Sequence, residues 1–311
     1  MKDICPAIRE RAGPVGGDED CIAVDWGTSN RRAFLVGADG TVRDAVRDDR
    51  GALSVAPGDW PAQVDHLRER LGARDLGARD VVIAGMAGSS RGWREMPYVP
   101  VPAGLDEIAA GAVAVAPGVR LLPGVAVAGA RHDVMRGEET LVLGAVALGD
   151  VPPDALVCQP GTHNKWVALA GGRLVDFATS MTGELFGLLK AGGTLAGLLD
   201  GPVEDGADFR DGLARGGARG DLSTALFEAR AQVLLGARAP AGAASFASGV
   251  LIGADVAARD DVGGREVHVV GAGPLARLYA AAIARAGGRP VPVDAESAFV
   301  AGIHSIRRRL P

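Results

Sequence analysis

Apolar and polar positions along the chain run through one pattern twice. An apolar run, CIAVDWG at 21–27, ends on Asp25 and Gly27. Two alternating stretches follow in RRAFLVGADGTVRDAVRDD, separated by Ala38, Asp39 and Gly40, which signal a hairpin turn. Period-two alternation over such short runs predicts strands, so three antiparallel strands open the chain. Residues 60–71 have helical spacing, and VVIAG at 81–85 reads as a buried strand. The stretch GSSRGWREMPYVPVPAG is too irregular for a helix. A helix around 105–115, a strand around 119–128 and a helix over 138–148 complete the first pass.

The linker Gly149, Asp150, Val151, Pro152 and Pro153 marks the predicted boundary. Beyond it, ALVCQPGTHNKWVALAGGRLVDFATS again reads as strand, glycine loop, strand, Gly-Gly turn, strand. Alanine-rich, mostly helical sequence fills 183–258. A strand at 266–270, a helix at 274–286, a strand at 289–293 and a helix at 296–310 follow. The same order appears in both halves without obvious sequence repetition. This predicts an α/β protein of two related domains, 20–149 and 150–311, with a cleft between them and an extension at 1–19. The last helix is free to pack back on the first domain.

Composition narrows the class. The 311 residues include 46 Gly, 18 Pro and 48% hydrophobic residues, too apolar for a disordered chain. Glycine is about twice its usual ~7% share. Away from the loops described below, that excess reads as turns and compositional habit, as at Gly192-Gly193 and Gly216-Gly217. The apolar runs are short and broken by glycine, which argues against a membrane span. A formal charge of −5 gives no general attraction to nucleic acid. The one basic cluster is Arg307, Arg308 and Arg309 at a helix end. Cys5, Cys21 and Cys158 have no metal-like spacing, and their odd number points to a reducing cytoplasm. The N-terminus lacks the apolar core of a secretion signal.

Scarcity is more informative than excess. Among 33 basic residues only Lys2, Lys165 and Lys190 are lysines, and Asn30 and Asn164 are the two asparagines. Asn30, Gln159, Asn164 and Lys165 all fall in two short glycine loops at equivalent points of the two halves. In the first, Gly27 permits close backbone approach, while Thr28, Ser29 and Asn30 offer groups suited to phosphate oxygens. Asp25, at the strand end, can hold Mg²⁺ through water. In the second, Gly161, Thr162 and Asn164 repeat the chemistry, and Lys165 adds a point charge for phosphate or carboxylate. Each loop alone reads as a turn; together they read as a polyphosphate clamp.

A third segment, EVHVVGAGPLARLYAAAIARAGGRPVPVD, approaches the dinucleotide fingerprint. Too little chain remains after it for the second half of such a fold. Glycines before a helix N-terminus can equally hold the adenosine and α-phosphate of ATP.

The pattern D-W-G-T-S-N-x-R at 25–32 resembles the first phosphate loop of the sugar kinase, actin and heat-shock ATPase superfamily. The loop at 159–166 looks like its second phosphate loop, and residues 271–274 like its adenosine motif. More narrowly, DWGTSNRRA, GMAGSSRGW, HDVMRGEET, QPGTHNKWV, TGELF and VGAGPLA resemble the 2-dehydro-3-deoxygalactonokinases, over about residues 20–305. The resemblance implies two ribonuclease H-like (actin-like ATPase) domains, each a mixed five-stranded sheet with flanking helices. It also implies ATP-dependent, Mg²⁺-assisted transfer of a phosphoryl group to the terminal hydroxyl of 2-dehydro-3-deoxy-D-galactonate, a sugar acid. By similarity Asp25 would organise Mg²⁺, and Gly27, Thr28, Ser29, Asn30, Gly161, Thr162, Asn164 and Lys165 would meet the phosphates. Gly271, Gly273 and Pro274 would border the adenosine.

For the general base, Asp133 comes first and Glu138 second. Glu139 reads only as complementing the following helix N-terminus. The substrate carboxylate needs donors, for which Arg91 is the candidate, helped by Ser89 and Ser90. Trp93 could pack on the carbon chain or belong to the core, Tyr98 has the same status, and Lys165 could also meet the carboxylate. His163 and Glu184 are weaker candidates. Rival readings are a kinase for another sugar or sugar acid, an ATPase or phosphohydrolase of the same fold, an NAD-dependent oxidoreductase and a non-catalytic regulator. No nucleic-acid or membrane partner is expected, and a homodimer is left open.

Overall fold

Cys21–Trp26 (β1), Arg31–Val36 (β2) and Val42–Asp48 (β3) form an antiparallel meander. Gly40 takes φ +81° in the turn that joins β2 to β3. Trp60–Arg70 (α1), with a proline in its first turn, leads into Val81–Gly85 (β4), which lies parallel to β1. Val119–Leu121 (β7) adds parallel to β4. The order β3-β2-β1-β4-β7 is the five-stranded mixed sheet expected. In this computed structural model, residues 20–72, 80–218 and 220–311 are described; the expected extension at 1–19 lies outside the described residues.

Two elements differ from the sequence expectation. The stretch 105–115 is not one helix: Leu105–Ala110 (α2) stops at Gly111, and Val113–Ala116 (β6) pairs antiparallel with β7 as a sixth strand. The stretch 119–128 is two strands. Pro123 cannot continue a ladder, and Gly124–Val127 (β8) leaves the main sheet. It pairs instead with Tyr98–Pro100 (β5) and Asp133–Met135 (β9) in a small three-stranded sheet. Glu138–Leu148 (α3) follows as expected.

The second half repeats the first. Ala155–Gln159 (β10), Asn164–Ala170 (β11), Arg173–Ser180 (β12), Glu266–Val270 (β13) and Arg289–Val293 (β14) take the order β12-β11-β10-β13-β14. Numbered within the half, that is again 3-2-1-4-5. The helices are Thr182–Ala191 (α4), Ala207–Gly217 (α5), Leu222–Leu234 (α6), Ala243–Ala257 (α7), Gly273–Arg285 (α8) and Ala295–Arg307 (α9).

Contacts divide the chain into two units. The first holds residues up to Asp154, Ala168–Phe177 and Asp294–Pro311; the second holds Ala155–Val167 and Ala178–Val293. In the first, Ile22, Val24, Ile83 and Leu121 of the sheet pack on Val64 and Leu67 of α1. Trp26 meets Trp60 at 4.9 Å, and Trp60 stacks on Trp93 at 6.1 Å.

Six of the glycines lie in helix crossings, not in turns. Gly144 of α3 and Gly302 of α9 bring two backbones into contact: a Cβ on either would overlap the carbonyl of Ala298 or of Thr140. In the second unit α5 and α7 cross the same way. Gly212 and Gly216 sit on the Phe246 and Val250 carbonyls, while Gly249 and Gly253 sit on those of Phe209 and Leu213. Gly216 therefore corrects the expectation of a turn, whereas Gly193, at φ +77°, bears it out. The stretch Pro240–Ala257 is long and apolar enough to cross a membrane, but 72% of it is buried as a core helix of the second unit.

Candidate active site

The first loop is held from behind. Its turn closes with the Gly27 N–H donating to the Asn30 carbonyl at 2.9 Å. The N–H groups of Gly51, Ala52 and Leu53 donate to the carbonyls of Ser29, Gly27 and Thr28 at 3.2, 2.9 and 3.2 Å. The loop carbonyls are thus engaged by protein, while Thr28, Ser29 and Asn30 are exposed. Gly51 must lack a side chain, because a Cβ there would overlap Thr28 O and the Ser29 main chain. Beneath the loop the buried Arg31 guanidinium donates to Asp48 at 3.2 and 2.7 Å and to Gln63 at 3.3 Å, and lies 4.8 Å from the Trp26 ring centre. Asp25 stands opposite Arg32 on β2, and Arg32 donates to its Oδ2 through Nε at 3.1 Å and through Nη2.

The second loop presents Gly161 and Thr162 outward and turns two expected ligands inward. Asn164 is fully buried: its Nδ2 donates to Asp255 Oδ2 at 2.8 Å, and its Oδ1 accepts from Cys158 at 3.4 Å. Lys165 is 3% exposed, and its Nζ donates to the carbonyl of His163 at 3.3 Å. These bonds draw both side chains towards the inside of the loop. The start of α4 docks on this loop. Glu184 N–H donates to the Thr162 carbonyl at 2.9 Å, His163 Nε2 meets Glu184 Oε2 at 2.6 Å, and a Cβ on Gly183 would lie 2.7 Å from Gly161 O.

Asp255 was missed in the sequence. It accepts from Asn164 and Trp166 of β11, Ser180 of β12, Thr182 of α4 and Tyr279 of α8, at 2.6–3.2 Å. One buried carboxylate thereby fixes two strands and two helices, the arrangement in which a buried charge is compensated. Burial first, and the Asp255 charge second, push the Cys158 thiol and the Tyr279 hydroxyl far above their ordinary pKa values, so both stay neutral. The available signal was a lone carboxylate in the otherwise apolar run AASFASGVLIGADVA.

The same elements enclose a pocket of about 240 Å³ within the second unit. Gly161, Gly183 and Thr182 give it a polar edge, while Phe186, Leu251, Leu275 and Leu278 give it apolar walls. Pro274 lines it too, in the first turn of α8, and Gly273 starts that helix at φ +74°. A Cβ on Gly271 would lie 3.6 Å from Pro160. The glycine loop and the proposed adenosine segment, more than a hundred residues apart, therefore border one pocket.

In the first unit, β9 and α3 carry the acidic candidates. Asp133 Oδ1 accepts the Val134 N–H at 2.8 Å, and its Oδ2 lies 3.6 Å from Arg131 Nη1. Arg131 is also held by Asp176 and the Phe177 carbonyl. Glu138 accepts the Arg136 N–H at 3.0 Å. Glu139 is fully buried and accepts the Gly137 N–H through both oxygens at 3.0 and 2.8 Å, as a helix-start carboxylate should. Burial, aided by the neighbouring Glu138 charge, pushes its carboxyl up to about 8. Ser89 bonds the Met86 carbonyl at 2.8 Å and accepts the Arg91 N–H at 3.3 Å; Ser90 and Arg91 are exposed. Trp93, stacked on Trp60, packs against the core.

Comparison with known proteins places this geometry in a family. Residues 25–306 match the family described as 2-keto-3-deoxy-galactonokinase. The chain is 38% identical over 289 residues to the 2-dehydro-3-deoxygalactonokinase of Escherichia coli (strain K12), covering 92% of this chain and 96% of that protein. It is 39% identical over 300 residues to a Rhizobium meliloti (strain 1021) protein assigned the same activity, covering 93% and 96%. A crystal structure from Sinorhizobium meliloti, also assigned that activity, matches with a TM-score of 0.86 at 36% identity, covering 93% of this chain and 98% of that one.

Proposed function

Since the chain belongs to the 2-keto-3-deoxy-galactonokinase family, we propose how its residues divide the work of that kinase reaction. The reaction transfers the γ-phosphoryl group of ATP to the terminal (sixth-carbon) hydroxyl of 2-dehydro-3-deoxy-D-galactonate. The bond between the γ-phosphorus and the bridging oxygen breaks, ADP leaves with that oxygen, and the new bond forms to the sugar-acid oxygen. The hydroxyl proton passes to a carboxylate, for which Asp133 is the first choice and Glu138 the second. Phosphoryl transfer asks the protein mainly for positioning and charge neutralisation.

The observation that carries this reading is the pocket bounded at once by Gly161 and Pro274. Its apolar walls suit the adenine ring, and the N-terminus of α8 suits the first phosphate. Thr162 in one loop, and Thr28, Ser29 and Asn30 in the other, serve the phosphates through exposed hydroxyl and amide groups, while Gly161 and Gly27 leave the backbone open to close approach. Asn164 and Lys165 support the second loop from below.

Mg²⁺ fits Asp25. Both Arg32 contacts fall on Oδ2, which leaves Oδ1 for a metal-bound water. Among the described residues no three His, Cys, Asp or Glu side chains converge on one point. A single carboxylate suits Mg²⁺ that arrives with the nucleotide, since this ion keeps several waters and binds substrate phosphates. When bound, the ion neutralises phosphate charge.

A coupled ADP-release assay across a panel of sugar acids tests the reading. ADP should appear only with an acid acceptor, and fastest with 2-dehydro-3-deoxy-D-galactonate. ADP released equally fast without acceptor would make the protein an ATPase. A different preferred acid would move the substrate but keep the chemistry.

A further inference from the structure

We propose that Arg136, rather than Arg91, is the residue that recognises the carboxylate of the acid substrate, an inference that rests on the kinase reading above. A guanidinium has five N–H donors in a rigid fork that matches a carboxylate edge to edge. In Arg136, Nη2 donates to the Met96 carbonyl at 2.8 Å, while Nε and Nη1 are shut off from solvent and have no acceptor. The group lies 4.4 Å from the centre of the Tyr98 ring. Its Nη1 fills the space beside Gly88, where a Cβ would come within 3.0 Å. It therefore sits between Gly88 and the segment from Met96 to Tyr98.

A cation so placed needs an anion. Arg31, the fully buried arginine of the same unit, has one: Asp48 takes two of its donors and Gln63 another. The Arg136 charge acts on the buried Glu139 carboxyl, but burial outweighs it and pushes that carboxyl up to about 8. Glu138 accepts the Arg136 main-chain N–H, and both oxygens of Glu139 accept that of Gly137. The second N–H of Nη2 combines with Nε or with Nη1 to offer a two-pronged edge. Arg91 is exposed, and a solvent-exposed ion pair contributes little. The Tyr98 ring over the guanidinium is itself 41% exposed, so a carboxylate reaches Arg136 by displacing that ring.

Calorimetric titration of 2-dehydro-3-deoxy-D-galactonate and of its uncharged C1 amide decides the matter. The wild-type chain should bind the acid about 10- to 100-fold more tightly than the amide. Arg136→Met should bind both equally weakly, with ATP affinity unchanged within twofold as evidence of an intact fold. Arg136→Lys keeps the charge and loses the fork, so it should retain only part of the preference; it also answers the question if the methionine variant fails to fold. Full acid preference in both Arg136 variants, or its loss in Arg91→Met alone, would overturn the assignment while leaving the kinase reading intact. Failure of the wild-type chain to bind the acid would overturn both.

Discussion

Arg32 Nε donates to Asp25 Oδ2 at 3.1 Å across the β1–β2 ladder, so the carboxylate proposed to organise Mg²⁺ is already paired with a fixed cation. The two cations compete for one charge. Arg32→Gln should therefore lower the Mg²⁺ concentration needed for half-maximal activity, by about threefold or more, given the usual strength of partly buried ion pairs. Asp25→Asn should lower kcat by about 100-fold or more, as loss of a charge-organising group at a phosphoryl-transfer site does. A higher Mg²⁺ requirement in Arg32→Gln would show instead that the arginine orients Asp25 for the ion.

The proton-accepting role can be divided by two variants. Asp133→Asn should lower kcat by about 100-fold or more, within the range of general-base contributions, while ATP affinity stays near that of the wild type. Glu138→Gln should act more weakly. Near-normal turnover in Asp133→Asn would transfer the role to Glu138.

Gly51 sets the height of the loop at 27–30, proposed to meet the phosphates. Its own backbone is extended, so the restriction is steric: a Cβ would overlap Thr28 O and the Ser29 main chain. Gly51→Ala should raise the KM for ATP several-fold and lower stability by about 1–3 kcal/mol, as overpacking does. Gly58 has φ +94° and open space around it. Gly58→Ala should cost about 1 kcal/mol of stability with no change in the KM for ATP.

Local pattern carried most of the architecture and only part of the site. The apolar runs of β1 and β10, each followed by two further strand segments and a glycine turn, showed the repeat, because such runs are local whatever their neighbours are. Pro123 splits the stretch 119–128 that reads as one strand, and which sheet receives residues 124–127 depends on β5 and β9, elsewhere in the chain. Gly216 and Gly217 of α5 read as a turn because a crossing is a property of two helices, and neither sequence shows its partner. Asn164 drew attention as one of two asparagines, but its amide faces Asp255, 91 residues away in sequence. Rarity identified the loop; only the folded chain shows which way its side chains turn.

Asp255 offers the largest stability effect. Asp255→Ala leaves five buried donors without their acceptor and should destabilise the protein by about 3–5 kcal/mol in urea unfolding. Nucleotide affinity should fall with it, since Thr182 and Tyr279 line the pocket. A loss below about 1 kcal/mol would mean that water replaces the carboxylate.

Glu139 makes stability depend on pH. Its carboxyl titrates near 8 in the folded chain against an ordinary value of 4.5, so between these values the native state holds a proton that the unfolded state has released. Stability from this group is therefore fully present below about pH 4.5 and declines as pH rises towards 8. Glu139→Gln removes the titration, and its melting temperature should gain on the wild type steadily from pH 5 to 8. A difference constant across that range would refute the assignment.

The first unit is closed by the end of the chain. Asp294–Pro311 belongs to it although all of the second unit precedes that segment in sequence. Gly302 of α9 meets Thr140, while Glu296, Arg307 and Arg309 pair with Arg47, Asp80 and Asp106. During synthesis, the sheet bearing Asp25 must wait for α9 until nearly all of the protein has left the ribosome. The unit made first is thus completed last, and a chain stopped a helix short would keep the residues of the pocket bordered by Gly161 and Pro274 while leaving α3 without its partner.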